Sequence, residues 1–133
     1  MTARSITPAG IRPPFGRYSH AREVPAHWRT LVLSGQLGVD REDNAPASAG
    51  AQADICFFNI GEILKAGDMG PGDIIRVTGY LTDIADRVAY MAARDRFLAD
   101  VPEACLPAST LLVVAGLARA DLKVEVEVIA AAP

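Results

Sequence analysis

Two segments decide the fold of this chain: Pro107-Ala108-Ser109-Thr110-Leu111-Leu112-Val113-Val114 and Leu122-Lys123-Val124-Glu125-Val126-Glu127-Val128. They read as two apolar strands joined by a turn. The second alternates. Val124, Val126 and Val128 share one face, which is core, and Lys123, Glu125 and Glu127 share the other. Two carboxylates two residues apart on a strand stand side by side, and like charges that close favour a cation, a proton or water between them. A half-exposed strand with solvated glutamates shows the same pattern, so the pair marks a place to look rather than a site.

Working outward, 133 residues make one domain, long enough for a real core. A formal net charge of −3 argues against nucleic acid as the main partner, because phosphate binding needs a basic field. Arg4, Arg12, Arg17, Arg22 and Arg29 bias the first thirty residues toward positive charge, but they are spaced singly, as scattered surface arginines are. Cys56 and Cys105 lie far apart among apolar neighbours, which predicts buried free thiols in a reducing compartment. His20 and His27 have no acidic or cysteine neighbours at ligand spacing, so neither a metal nor a cofactor is expected. No apolar leader and no apolar run of membrane-spanning length occurs, so the expected location is cytoplasmic, with no membrane partner.

In chain order, residues 1–16, with Pro8, Pro13 and Pro14, read as an extended lead-in. Tyr18 to Val24 predicts a short strand and Trp28 to Gln36 a better one, with Pro25-Ala26-His27 as the hairpin connection between them. Ala51 to Ala66 predicts a helix, since Ala53, Cys56, Phe57, Ile60, Ile63 and Leu64 recur at three- and four-residue spacing. Gly67, Gly70, Pro71 and Gly72 end it. Asp73 to Thr82 is a β-branched strand. Ile84 to Asp100 is a second helix, capped by Asp83, with Ile84, Val88, Met91 and Leu98 as its buried stripe. Each helix has one apolar stripe to bury, so the economical architecture is α+β: a mixed sheet with two helices on one face. The other sheet face then needs a cover, and self-association is the obvious one for so small a chain.

Two further constellations carry candidate chemistry. Gly16-Arg17-Tyr18-Ser19-His20 places a phenol, a hydroxyl and an imidazole at a loop-to-strand junction, either as one wall of a small-molecule site or as surface polar residues at a strand start. Ser34-Gly35-Gln36 follows an apolar strand. It lacks the glycine pattern of a nucleophile elbow, but its backbone amides are placed to hold an anion.

These pieces together resemble the Rid (reactive intermediate deaminase) family. The resemblance rests on Pro14-Phe15-Gly16-Arg17-Tyr18-Ser19-His20-Ala21, Leu33-Ser34-Gly35-Gln36-Leu37-Gly38, Gln52 with Asn59-Ile60, Gly72 through Asp83, Pro107-Ala108-Ser109-Thr110 and Val124 through Ala130, nearly the whole chain. It implies a chorismate-mutase-like α+β domain that trimerises into a barrel, with ligand clefts between subunits. It implies hydrolysis of reactive imines and enamines, releasing ammonia and a 2-keto acid.

Carried over residue by residue, the resemblance makes Glu125 the acid/base, with Tyr18 and Ser34 orienting substrate as the catalytic set. Gly35, Ser109, Arg17 and Glu127 become ligand-binding candidates. The family's carboxylate-clamping arginine falls on Ser109, and serine cannot clamp a carboxylate as a guanidinium does. Arg17 or Arg119 is the candidate substitute. The reading is therefore a homotrimeric Rid-like protein with a small-metabolite cleft, acting on an imine, enamine or related C–N bond with a non-standard substrate. A non-catalytic metabolite-binding or regulatory module is the alternative. A ribonuclease or translation-inhibitor role ranks last, given the acidic charge.

Overall fold

The computed structural model describes residues 2–133; Met1, where the lead-in begins, lies outside the described residues. Its strands and helices are β1 (Arg4–Ile6), β2 (Ala21–Glu23), β3 (Arg29–Val32), β4 (Gln36–Leu37), α1 (Ala49–Ala66), β5 (Ile74–Leu81), α2 (Arg87–Phe97), β6 (Ala108–Val113) and β7 (Val124–Ala132). The main sheet runs β3-β7-β5-β6, with β4 also on β7. β7 is antiparallel to its neighbours and β5–β6 is parallel, so the sheet is mixed. Both helices cover one face, where Ala53, Cys56, Phe57, Ile60 and Leu64 of α1 and Tyr90 and Ala93 of α2 pack on Val77, Val124, Val126 and Val128.

The alternation of β7 assigned its faces correctly: its valines are buried and Glu125 and Glu127 are only half covered. It did not identify the neighbours. β6 and β7 do not form a turn-joined pair, because β5 lies between them. Period-two patterning fixes which side a residue points to, not which strand lies beside it. The expected hairpin through Pro25-Ala26-His27 is likewise absent. β2 pairs with β1 in a separate two-stranded ribbon, and β3 pairs with β7.

α1 begins at Ala49, two residues before the predicted start, with Ser48 as N-cap accepting from the Ala51 amide at 3.1 Å. Gln52 on α1 is fully buried, and every polar atom of its side chain has a partner. It donates to the carbonyls of Pro46 and Asp121 at 2.9 Å each and accepts from the Lys123 amide at 2.7 Å. That side chain fixes the approach into β7 and so the starting register of the carboxylate pair. The Cys56 thiol is pushed up to about 12 by burial, which leaves it inert; Cys105 is half-buried, and neither is in a disulfide.

The buried stripe predicted for the second helix holds at its C-terminal half, where Leu98 is buried and Met91 packs on the core, and fails at its start. Ile84 and Val88 are 62% and 71% exposed, whereas Tyr90, Ala93 and Arg94 are buried. A 3-10 turn over Ile84–Asp86, with Asp83 accepting from the Ala85 amide, precedes α2 and changes the phase of the chain before the α-helix starts. The face turned to the sheet therefore carries an arginine in place of two aliphatics.

Candidate functional site

The candidate residues form two groups, on opposite faces of the sheet within one protomer. The first lies on the face without helices. Tyr80 pairs with Glu125 and Thr78 with Glu127 across β5–β7, so these four side chains share that face. The Tyr80 hydroxyl donates to Glu127 Oε1 at 2.5 Å, which raises the Tyr80 pKa, since the phenolate would face a carboxylate. Glu127 is thus committed to Tyr80. Glu125 has no hydrogen-bond partner among the described residues.

What lies beside Glu125 is backbone. Val32 pairs with Ile129 and Gln36 with Val126, four steps on one strand against three on the other; Leu33 still donates to the Val128 carbonyl at 3.1 Å, so Ser34-Gly35 bulges off β7. The bulge brings Gly35 against the Glu125 carboxylate so closely that a Cβ at position 35 would overlap Oε1 and crowd Cγ. The resemblance made Ser34, Gly35 and Glu125 site residues from separate motifs, and the structure sets Gly35 against Glu125. Because the obstacle is the end of a flexible side chain, Gly35→Ala is expected to swing Glu125 aside rather than unfold the protein. For the imine hydrolysis that the family resemblance implies, turnover is expected to fall about 10-fold or more, with a melting temperature within a few degrees of wild type. Equal losses in both would show that position 35 serves the fold alone.

The second group lies on the helix side, at the β6 edge. Ser109 pairs with Val77, a core residue, and so points toward the helices. The Gly16–His20 segment is stapled to the start of β6: the Ser19 amide donates to the Pro107 carbonyl at 2.9 Å and Ser19 Oγ to the Leu106 carbonyl at 2.8 Å. This sets Tyr18 in a cleft of about 330 Å³ with Phe15, Met91, Arg94, Ser109 and Leu111. The Tyr18 hydroxyl accepts from the Phe15 amide at 3.0 Å, which fixes the phenol at the cleft wall.

Neither arginine proposed as a substitute clamp is free for that role. Arg17 donates to the carbonyls of Leu98 and Val101, at 3.1 and 3.2 Å, and so closes the end of α2. Arg119 pairs with Asp121 and donates to the Asp43 carbonyl. The cation beside Ser109 is Arg94, with Nη1 3.4 Å from Ser109 Oγ. Sequence reasoning missed it because the stripe was drawn through Ile84 and Val88. The signal was present: Tyr90, Ala93, Arg94 and Phe97 follow helical spacing.

Among the described residues no cluster of three or more His, Cys, Asp or Glu is placed to hold a metal ion, and no helix is long and apolar enough to cross a membrane.

Comparison with known proteins shows the family and the fold. The family model described as endoribonuclease L-PSP matches residues 10–132. A Capra hircus protein named 2-iminobutanoate/2-iminopropanoate deaminase is 32% identical over 132 residues, covering 98% of this chain and 90% of that protein. The crystal structure of YyfB from Yersinia pestis, a conserved Rid-family protein of unknown function, superposes with a TM-score of 0.86 at 26% identity. The match covers 99% of this chain and 100% of YyfB. The structure of Escherichia coli TdcF with bound serine superposes with a TM-score of 0.72 at 28% identity, covering 90% of this chain and 91% of TdcF.

Proposed function

The chain belongs to the Rid (endoribonuclease L-PSP) family, and from that premise we propose that it hydrolyses a small imine, or the enamine that tautomerises to it, to a carbonyl compound and ammonia. The observation that carries this reading is the Glu125 carboxylate. It has no hydrogen-bond partner among the described residues and stands against a bulged strand whose Ser34 and Gly35 have left the β-ladder. A carboxylate so placed takes a proton from water as the water oxygen bonds to the imine carbon. It hands that proton to the imine nitrogen to give the neutral carbinolamine, then moves the carbinolamine's hydroxyl proton to the nitrogen as the C=O bond forms, the C–N bond breaks and ammonia leaves. Ser34 and Gly35 orient the substrate beside Glu125, and Tyr18 forms a wall on the opposite side.

In one protomer the sheet separates Glu125 from Tyr18 and Ser109. We read the complete site as one copy's Glu125 face meeting the β6 edge of the next, within a homotrimer. The open sheet face and the half-exposed Leu112 and Val113 on the β6 edge support that assembly. The ribonuclease role is disfavoured by the net charge of −3 and by two carboxylates on the open face, which repel a phosphate backbone.

The test is ammonia release from freshly generated imines, including 2-iminobutanoate, a 2-imino acid with a larger apolar body and a neutral imine. Saturable release above the spontaneous rate supports the reading. Release at the spontaneous rate on every member overturns it and leaves a binding module on the same scaffold.

A further inference from the structure

Arg94 is a buried guanidinium whose hydrogen bonds are all long. Its side chain is 4% exposed. A guanidinium offers five N–H donors and in a buried place requires matched acceptors. Among the described residues Arg94 has two acceptors. Nε and Nη2 reach the same oxygen, Asp95 Oδ1, at 3.3 and 3.2 Å, and Nη1 reaches Ser109 Oγ at 3.4 Å. These contacts lie at or beyond the long end for N–H···O bonds. The surface arginines do better: Arg119 holds Asp121 at 2.8 and 2.9 Å, and Arg4 holds Glu23 at 2.8 Å. Asp95 is also the adjacent residue on α2, a spacing at which helix side chains do not face each other. Of the two guanidiniums that line the cleft, Arg87 is exposed, whereas Arg94 is buried and holds its partners only at long range.

The space in front of it fits one kind of partner. The cleft of about 330 Å³ is walled mainly by Phe15, Tyr18, Ile84, Met91, Leu111 and Val113, and its charged lining is Arg94 beside Ser109 and the exposed Arg87. At Gly16 no side chain covers the guanidinium, although a Cβ there would lie 3.5 Å from Nη2, an ordinary contact distance. The volume lies at the small end of organic-ligand pockets and exceeds what a three- or four-carbon acid fills.

We propose that this cleft binds the acidic group of a small organic acid with an aromatic or branched apolar body, and that Arg94 on α2 supplies the guanidinium which position 109 lacks. Ser109 then serves the guanidinium, accepting its Nη1–H and aligning it toward the ligand. The inference rests on the imine-hydrolysis reading for the reacting atom only. The binding of the acid stands or falls separately.

The experiment measures saturable binding of phenylpyruvate, its methyl ester and pyruvate by calorimetry, on the full chain. With wild type, phenylpyruvate is expected to bind about 30-fold more tightly than the ester, which lacks the charge, and more tightly than pyruvate. Arg94→Gln is expected to bring the acid down to the ester's affinity while leaving the ester unchanged. Arg94→Lys, which keeps the charge and loses the planar fork, falls between. If Arg94→Gln does not fold, the acid–ester comparison on wild type and the lysine variant still decide. Equal affinity of acid and ester overturns the proposal, as does wild-type affinity for the acid in folded Arg94→Gln or no binding of any probe. Pyruvate binding as tightly as phenylpyruvate overturns the apolar body. Arg94-dependent binding without ammonia release from any imine would refute hydrolysis alone. Release from a neutral imine without Arg94-dependent acid binding would refute this inference alone.

Discussion

Glu125→Gln is expected to lower imine turnover by about 100-fold or more and to leave stability and assembly as they are. Glutamine has the shape of glutamate and accepts a hydrogen bond, but it cannot take a proton from water at neutral pH. The loss is therefore of proton transfer and not of volume. Stability is insulated for a local reason. Glu125 is half-exposed and has no hydrogen-bond or ion-pair partner among the described residues, so neutralising it breaks no pair. Its like-charged neighbour Glu127 lies two positions along the same face, and removing one of two adjacent carboxylates relieves repulsion. The melting temperature should stay level or rise slightly. Glu127→Gln gives the contrast. It weakens the 2.5 Å bond from Tyr80 and is expected to cost stability more than turnover. The measurement is ammonia release under saturating imine beside a thermal melt of each variant. Unchanged turnover in Glu125→Gln removes Glu125 from the mechanism.

Glu125 was legible in the sequence because alternation on a buried strand assigns faces by parity. Val124, Val126 and Val128 had to point inward, so the glutamates had to point out. The α+β layering was legible for a related reason, since two amphipathic helices need one sheet face between them. Strand partners were not legible. The passage from Val114 to Lys123 looked like a turn between partners, yet β5, distant in sequence, inserts between β6 and β7. Nothing local to either strand encodes that insertion. The hairpin through Pro25 failed likewise: β2 was claimed by β1, within a stretch read only as extended lead-in.

Arg94 shows a different kind of limit. An arginine inside a helix is read as solvent-facing by default, because a buried charge is costly. Placing it inward required the phase of α2, and a single 3-10 turn at Ile84–Asp86 set that phase against the apolar pattern. The apolar residues that ended outside, Ile84 and Val88, were what drew the stripe to the wrong side. The position where sequence patterning misled is also the position where the structure leaves a buried cation beside a cleft, as expected where local rules yield to a site.

That placement reverses the intuition about position 109. Restoring the arginine that the family resemblance leads one to expect there looks like a repair, but Ser109→Arg is expected to damage this protein. Ser109 Oγ stands 3.4 Å from Arg94 Nη1, and the carboxylate paired with Arg94 among the described residues, on Asp95, already serves it at 3.2 Å. A second guanidinium at that spot would be a like charge in a half-buried place with no counter-ion left for it. An uncompensated buried charge costs about 3 kcal/mol. For a chain of this length that corresponds to a melting temperature lower by about 10 °C. The competing outcome is that the new side chain swings off the β6 edge into solvent. It would then leave stability unchanged and contribute nothing to the cleft. The exchange variant Ser109→Arg with Arg94→Ser separates the two. If the guanidinium has one seat in this cleft, the double variant recovers most of the loss. The coupling between the positions then reaches about 1–3 kcal/mol, and binding of an organic acid returns with it. If thermal melts of the two single variants and the double variant add independently, positions 94 and 109 do not share a seat, and the serine at 109 owes nothing to the arginine at 94.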